Sequence, residues 1–199
     1  MNINLYLNYY FEKNIKRRVE LDTCVAKNLK NPHLNVILFE SNDRVKYSHF
    51  FKMINSYTAP DDINIISNLD IYFDNSVTKF KEMSAEQAFV LGRWDIQKDG
   101  KLKFANRPDS QDAWIFKGKV KSNLNGDFYL GWLGCDNRFC HEINKAGYKV
   151  SNPCKNIKAI HVHSSMIRNY KAKGRQRKSN EVPGPYMTLT PCDWEKRKR

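Results

Sequence analysis

Apolar and polar residues alternate over Ile3–Leu7 in the manner of a strand. The period then lengthens. Over Asn14–Asn31, Ile15, Val19, Ala26 and Leu29 recur at helical spacing and predict a helix that buries them as its core face. Asn35–Phe39, NVILF, is a short apolar run of buried-strand type. A second helix is expected over Val45–Asn55, carrying Phe50, Phe51 and Ile54, and a further apolar run follows Pro60 at Ile63–Ile66. Strand, helix, strand, helix, strand is the order of a parallel sheet with crossover helices, which gathers ligands at the carboxyl ends of its strands. The third strand leads straight into Asn68-Leu69-Asp70.

Beyond that point the pattern changes. Gln87–Trp94, Lys101–Phe104 and Ala113–Phe116 read as short strands, Asp99-Gly100 as a hairpin turn, and Asn137–Ala146 as a helix. These elements predict one α/β domain over 1–199, with a single mixed, mainly parallel central sheet flanked by helices. Residues 1–75 would form a nucleotide-binding half, 76–165 an acceptor half, and 166–199 a basic C-terminal segment. Within the last, KAKGRQRKSN at 171–180 is compositionally biased.

Composition narrows the partners. The formal charge is +13, of which +7 falls in Met166–Arg199, so the body is only mildly basic. Such charge attracts polyanions: nucleic acid, phosphorylated ligands or anionic membrane. Five cysteines, odd in number and scattered, read as reduced thiols. No run approaches the about 18 apolar residues of a membrane span, and MNINLYLNYYFEKN lacks the features of a secretory leader, so a cytoplasmic location, in a cell or an infected host cell, is expected.

Three constellations carry candidate chemistry. SNLDIYFD puts Asn68, Asp70 and Asp74 at a strand end, where carboxylates can hold a hard divalent cation while phosphate oxygens fill its remaining positions. FYLGWLGCDNRF places Asp136 where a helix begins, as a helix-capping residue or as a general base. IHVHSS sets His161 and His163 two apart, on one face of an extended segment, where one of them could complete a metal site.

The segments ISNLDIYFD, FVLGRWDI, SQDAWIFKG, GCDNRFCHEINKAGYKVSNP and IKAIHVHSS resemble, in the same order, a group of small GT-A glycosyltransferases of bacterial surface-polysaccharide loci and large DNA viruses. The resemblance runs from about Asn8 to about Pro191. It implies a GT-A fold, a nucleotide-sugar donor (a UDP-sugar first), a glycan or glycolipid acceptor, and Mn2+ or Mg2+ as cofactor. Asn68 and Asp70 stand at the acidic places of the DxD signature, the first an amide and so a poorer ligand for a hard cation. By the same resemblance Asp136 is the base of an inverting transfer, and His163, ahead of His161, closes the metal site. Asp112 is the second choice for the base or an acceptor contact; Arg93, with Asp95, and Arg168 are candidates for the diphosphate.

Two other classes compete. A nucleic-acid-binding protein would use the basic tail with Tyr170 and Tyr186 to grip phosphates and stack bases, but no nucleic-acid motif occurs in the body, which disfavours that partner. The tail's charge could instead serve a peripheral contact with anionic membrane. A silent sugar-binding module would keep Trp94, Trp114 and Trp132 without needing Asp136.

Overall fold

The computed structural model describes residues 1–41, 43–97, 99–165, 167 and 182–195. Strand β1 (Ile3–Tyr9) is followed by helix α1 (Ile15–Leu29), β2 (Asn35–Glu40), α2 (Tyr47–Tyr57), β3 (Ile63–Ser67) and β4 (Ile71–Phe73). A 3-10 turn over Asn75–Glu82 leads to β5 (Gln87–Leu91), β6 (Arg93–Ile96), β7 (Leu102–Phe104) and β8 (Ala113–Lys117). Helix α3 (Cys135–Lys145), β9 (Lys149–Ser151) and β10 (Ala159–His161) complete the order.

The central sheet is mixed, with order β2-β1-β3-β8-β5-β9. β1 pairs in parallel with β2 and β3, β5 pairs in parallel with β9, and β8 runs antiparallel between β3 and β5. The mixed α/β class expected from the chain is therefore present. One element of that expectation needs correction, because the strands do not all join one sheet: β4-β10-β6-β7 form a second, four-stranded sheet. The apolar run Gln87–Trp94 breaks at Gly92, which sends β5 into the first sheet and β6 into the second. Here a Cβ would sit 3.4 Å from Cys154 Sγ and 3.6 Å from the Ser110 carbonyl oxygen, so the chain turns where neighbouring segments approach it closely.

Register at the amino end of the parallel strands is pinned by a polar ladder. Asn35 donates to Asn4 (2.9 Å), Asn4 donates to Asn64 (3.1 Å), and Asn64 donates to the Gly118 carbonyl and to Thr58 (2.9 Å each). Asn4 lies opposite both Asn35 and Asn64 in the pairing. A one-residue slip of β1 would leave the buried amides of Asn4 and Asn64 unpaired and send Leu5 and Leu7 to the wrong face.

Each face of the sheet carries its own core. Leu5, Leu7 and Ile65 pack with Leu21 and Val25 of α1 and with Phe73, Phe80, Phe89 and Trp194. On the other face Tyr6, Ile66, Trp114 and Phe116 meet Phe50, Phe51 and Ile54 of α2 and Phe139 and Ile143 of α3. Aromatic edges fill this second core, with Tyr47 at 5.1 Å from Trp114 and 4.1 Å from Phe139 between ring centres. Trp114 is thus a fully buried core residue. All five cysteines are free thiols, and burial pushes Cys24, Cys135 and Cys154 up to about 12, far from nucleophilic.

Two further expectations are overturned by packing. NVILF becomes β2 at the sheet edge, half-buried rather than enclosed, because only β1 pairs with it among the described strands. Helix α1, capped by Asn14, is rotated from the expected register: it buries Arg17, Glu20, Leu21, Cys24, Val25 and Asn28 and exposes Ile15, Val19 and Leu29. Polar demand sets that rotation. Asn28 donates to the Ile71 carbonyl and accepts from the Phe73 amide, which ties α1 to β4, and Arg17 is drawn inward to a carboxylate described below.

The rotation is directly testable by chemical denaturation. Leu21→Ala is expected to cost about 2–5 kcal/mol as a core truncation. Ile15→Ala and Val19→Ala are expected to stay within about 0.5 kcal/mol of the parent. The reverse ranking would restore the outward face as the core.

Candidate active site

The carboxyl ends of β1 and β3, the carboxyl end of β5 and the amino end of β8 meet at one edge of the central sheet, where Ser67 pairs with Ala113 and Leu91 pairs with Ala113. The second sheet delivers its residues to the same place: in the β6/β10 pairing His161 stands opposite Asp95, and in the β4/β10 pairing it stands opposite Ile71. A cavity of about 690 Å³ opens there, lined among others by Asn68, Asp70, Arg93, Asp112, Asp136 and His161.

Its floor is a line of alternating charge. Asn68 and Arg93 donate to the two carboxylate oxygens of Asp112, at 2.8 and 3.3 Å. Arg93 also donates to Asp95 (3.1 Å), whose oxygen lies 2.8 Å from His161 Nδ1. His161 Nε2 lies 3.2 Å from Asp70 Oδ2, which accepts from Arg17 at 2.5 Å. Arg17 continues to Glu20 (2.9 Å), and Glu20 accepts from the hydroxyls of Ser164 and Ser165 and from the Ser165 amide.

Every charge in this line is held by its neighbours. Burial would raise the Asp70 carboxyl, but His161, His163 and Arg17 outweigh it and hold it well below the usual range. For Glu20 burial is likewise overcome, by Arg17 and the two serines, and the group is held at about 2. Burial pulls the His161 ring toward neutrality, yet Asp70 and Asp95 lift it to about 9. Absent a metal, His161 is therefore a cation clamped between two carboxylates.

Asp70, His161 and His163 offer one ligand atom each within 4.8 Å of one another. One carboxylate and two imidazoles suit a first-row divalent cation better than calcium, which takes oxygen ligands. Two details fit an ion here. Nε2 of His163 is buried without a hydrogen-bond partner among the described residues, and the Nδ1 nitrogen of His161 is held by Asp95, the outer carboxylate that commonly fixes a ligating histidine.

The opposite wall is the start of α3. Gly134, at φ 89°, turns the chain into the helix and Asp136 occupies the first turn. Burial raises the Asp136 carboxyl to about 6, and the nearby Asp112 adds to the rise, while the Asn137 and Gln111 amides partly counter it. Trp132 lies on the same rim with its ring centre 4.6 Å from that of Tyr129.

The structure thus brings Asn68, Asp70, Arg93, Asp112, Asp136, His161 and His163 to one cavity. Arg168 lies outside the described residues, as do Tyr170 and the 171–180 segment. Asp74 is turned away and caps the 3-10 turn through Ser76. Sequence reasoning missed Arg17, Glu20, Ser164 and Ser165. The usable signal was Arg17, Glu20 and Asn28 sharing one face of α1, three polar residues at helical spacing beside Leu21 and Cys24.

No family model and no curated protein matches the chain. The fold is similar to the catalytic domain of Drosophila beta1,4galactosyltransferase 7 in complex with xylobiose, with 14% identity, 98% of each chain covered and a TM-score of 0.49. A mutant of that domain in complex with manganese, UDP-Gal and xylobiose is similar at 14% identity, 98% coverage of each chain and a TM-score of 0.48.

The raised Asp136 carboxyl has a stability consequence. A group lifted from 3.8 to about 6 on folding stabilises the fold when protonated, and that contribution is lost as pH rises from about 4 through about 6. Asp136→Asn removes the loss. The variant is expected to be more stable than the parent by about 1–3 kcal/mol at pH 8, with the gap closing toward pH 4 in denaturant titrations. A gap independent of pH would mean that the carboxylate is not strained by burial.

Proposed function

We propose that the chain is a divalent-metal-dependent glycosyltransferase that moves a sugar from a nucleotide-diphosphate donor to a hydroxyl of a glycan or glycolipid acceptor, with inversion. The observation that carries this reading is the meeting, in one cavity, of a carboxylate-and-two-histidine ligand set with a separate, half-buried carboxylate poised near neutrality. Enzymes that run acid–base chemistry at neutral pH push the environments of their titratable groups apart in this way.

Asp70, His161 and His163 would hold the cation, Mn2+ or Mg2+, whose contribution when bound is to neutralise the departing diphosphate. Asp95 fixes the His161 ring and Arg17 stands against Asp70, ready to share the phosphate charge. Asn68 donates to Asp112, so this first place of the motif positions a neighbour rather than binding a cation. With both oxygens taken by Asn68 and Arg93, Asp112 suits holding Arg93 toward the diphosphate, which leaves proton abstraction to Asp136. Asp136 takes the proton of the acceptor hydroxyl as that oxygen attacks the anomeric carbon, and the sugar–phosphate bond breaks with its electrons on the diphosphate. A UDP-sugar is favoured as donor because uridine is the commonest donor base in the group the motifs resemble. Membrane contact through the basic tail would rest on residues 168–181 and 196–199, outside the described set.

The test is calorimetric titration with nucleotide diphosphates, with and without Mn2+, followed by donor hydrolysis. One nucleotide is expected to bind only with metal, and Asp70→Ala to abolish that dependence. Asp136→Asn is expected to keep donor binding but lower turnover by about two orders of magnitude or more. Because the base must be ionised, parental turnover should fall as pH drops through about 6. Failure of every nucleotide to bind, with tight salt-sensitive binding of an oligonucleotide, would overturn the transferase reading in favour of a nucleic-acid-binding protein.

A further inference from the structure

The two histidines of the candidate metal set are held in different ways. The His161 ring is fixed from both sides, by Asp95 at Nδ1 and by Asp70 at Nε2. The His163 ring has no such hold among the described residues: its Nε2 is buried without a hydrogen-bond partner, and its Nδ1 stands 3.9 Å from Asp70 Oδ2, beyond hydrogen-bond reach. Strand β10 ends at His161, so the ladder does not fix His163 either. Its placement is left to the backbone on either side of it.

That backbone is held largely from α1. Before His163, the Val162 amide donates to the Asp70 carbonyl at 3.0 Å, and the Val162 carbonyl accepts from Arg17 at 3.1 Å. After it, Glu20 Oε1 accepts from the Ser165 amide and the Ser164 hydroxyl, at 2.5 and 2.9 Å. Glu20 Oε2 accepts from the Ser165 hydroxyl at 2.8 Å and from Arg17 at 2.9 Å. The Glu20 side chain is 7% exposed, and a carboxylate so withdrawn from water must be satisfied by donors and a cation. Three of its four bonds go to the two residues that follow His163. The fourth goes to the guanidinium that holds the residue before it.

We infer that Glu20 is a positioning residue for His163: it holds the 162–165 segment so that the His163 imidazole stands in the metal set beside Asp70 and His161. The inference rests on the metal reading of that set given above. It divides the outer support between two carboxylates, Asp95 on the ring of His161 and Glu20 on the backbone that carries His163. Exchange of Glu20 for glutamine removes the ion pair with Arg17 and turns one acceptor oxygen into a donor, so the four bonds cannot all be kept. His163 then loses its fixed placement, while Asp95 keeps its hold on His161.

The experiment titrates the full chain with Zn2+ and follows each histidine ring by long-range proton–nitrogen NMR, which reads ligation of one ring independently of the others. Zn2+ is diamagnetic and binds nitrogen and oxygen donors more tightly than Mn2+. In the parent, the ring nitrogens of His161 and His163 should shift together. In Glu20→Gln the His161 ring should still shift and the His163 ring should not, and affinity should fall about tenfold to a hundredfold. Should Glu20→Gln fail to fold, joint Ser164→Ala and Ser165→Ala substitution, which spares the pair of Arg17 with Glu20, is read the same way. Parental shifts of both rings in the variant, or equal loss of both, would overturn the inference and leave the metal site standing. A parent in which neither ring shifts would overturn the metal reading, and this inference with it.

Discussion

Asp70 is a carboxylate largely withdrawn from water, and the rest of the site is arranged around that cost. Leaving such a charge unpaired in a protein interior costs several kcal/mol, so it must be met by cations in good geometry. Arg17 and His161 meet it directly, at 2.5 and 3.2 Å, and each is in turn held by a carboxylate of its own, Glu20 and Asp95. Arg93 and Asp112 extend the pattern to the β8 edge of the cavity. The line also ties separate elements of the fold together. Arg17 fixes the rotation of α1, and the pairing of His161 with Asp95 fixes β10 against β6.

The charge balance of the line points toward a cation. Asp112, Asp95, Asp70 and Glu20 face Arg93 and Arg17, and the proton on His161 only partly makes up the difference. With that proton gone the deficit is two charges, the charge of one divalent ion. His161, held between Asp70 and Asp95, supplies part of that missing positive charge. Asp136, across the cavity, is handled in the opposite way: burial outweighs the amides that hold it and lifts it to about 6, where a carboxylate can accept a proton.

What the sequence disclosed is what periodicity and local chemistry can carry. β1, β3, α2 and the hairpin at Asp99-Gly100 were legible in this way, whereas the grouping of Asp70, Asp136 and the two histidines came from the resemblance of their motifs to a family and from no local pattern. The rotation of α1 was not legible, because Ile15, Val19, Ala26 and Leu29 make a convincing core stripe until Arg17, Glu20 and Asn28 are seen to have buried partners. The second sheet was hidden for a related reason. β4, β6, β7 and β10 are three or four residues each, and their pairing depends on contacts distant in sequence, such as His161 with Asp95, that no local pattern records.

The central claim is that Asp70, His161 and His163 hold one divalent cation. The most direct measurement is pulsed electron paramagnetic resonance of the protein titrated with Mn2+. The account predicts that one ion per chain is retained and that its spectrum carries nitrogen couplings from both imidazoles, one of which disappears in His163→Ala. An ion that is not retained, or one held with no nitrogen coupling, would contradict it.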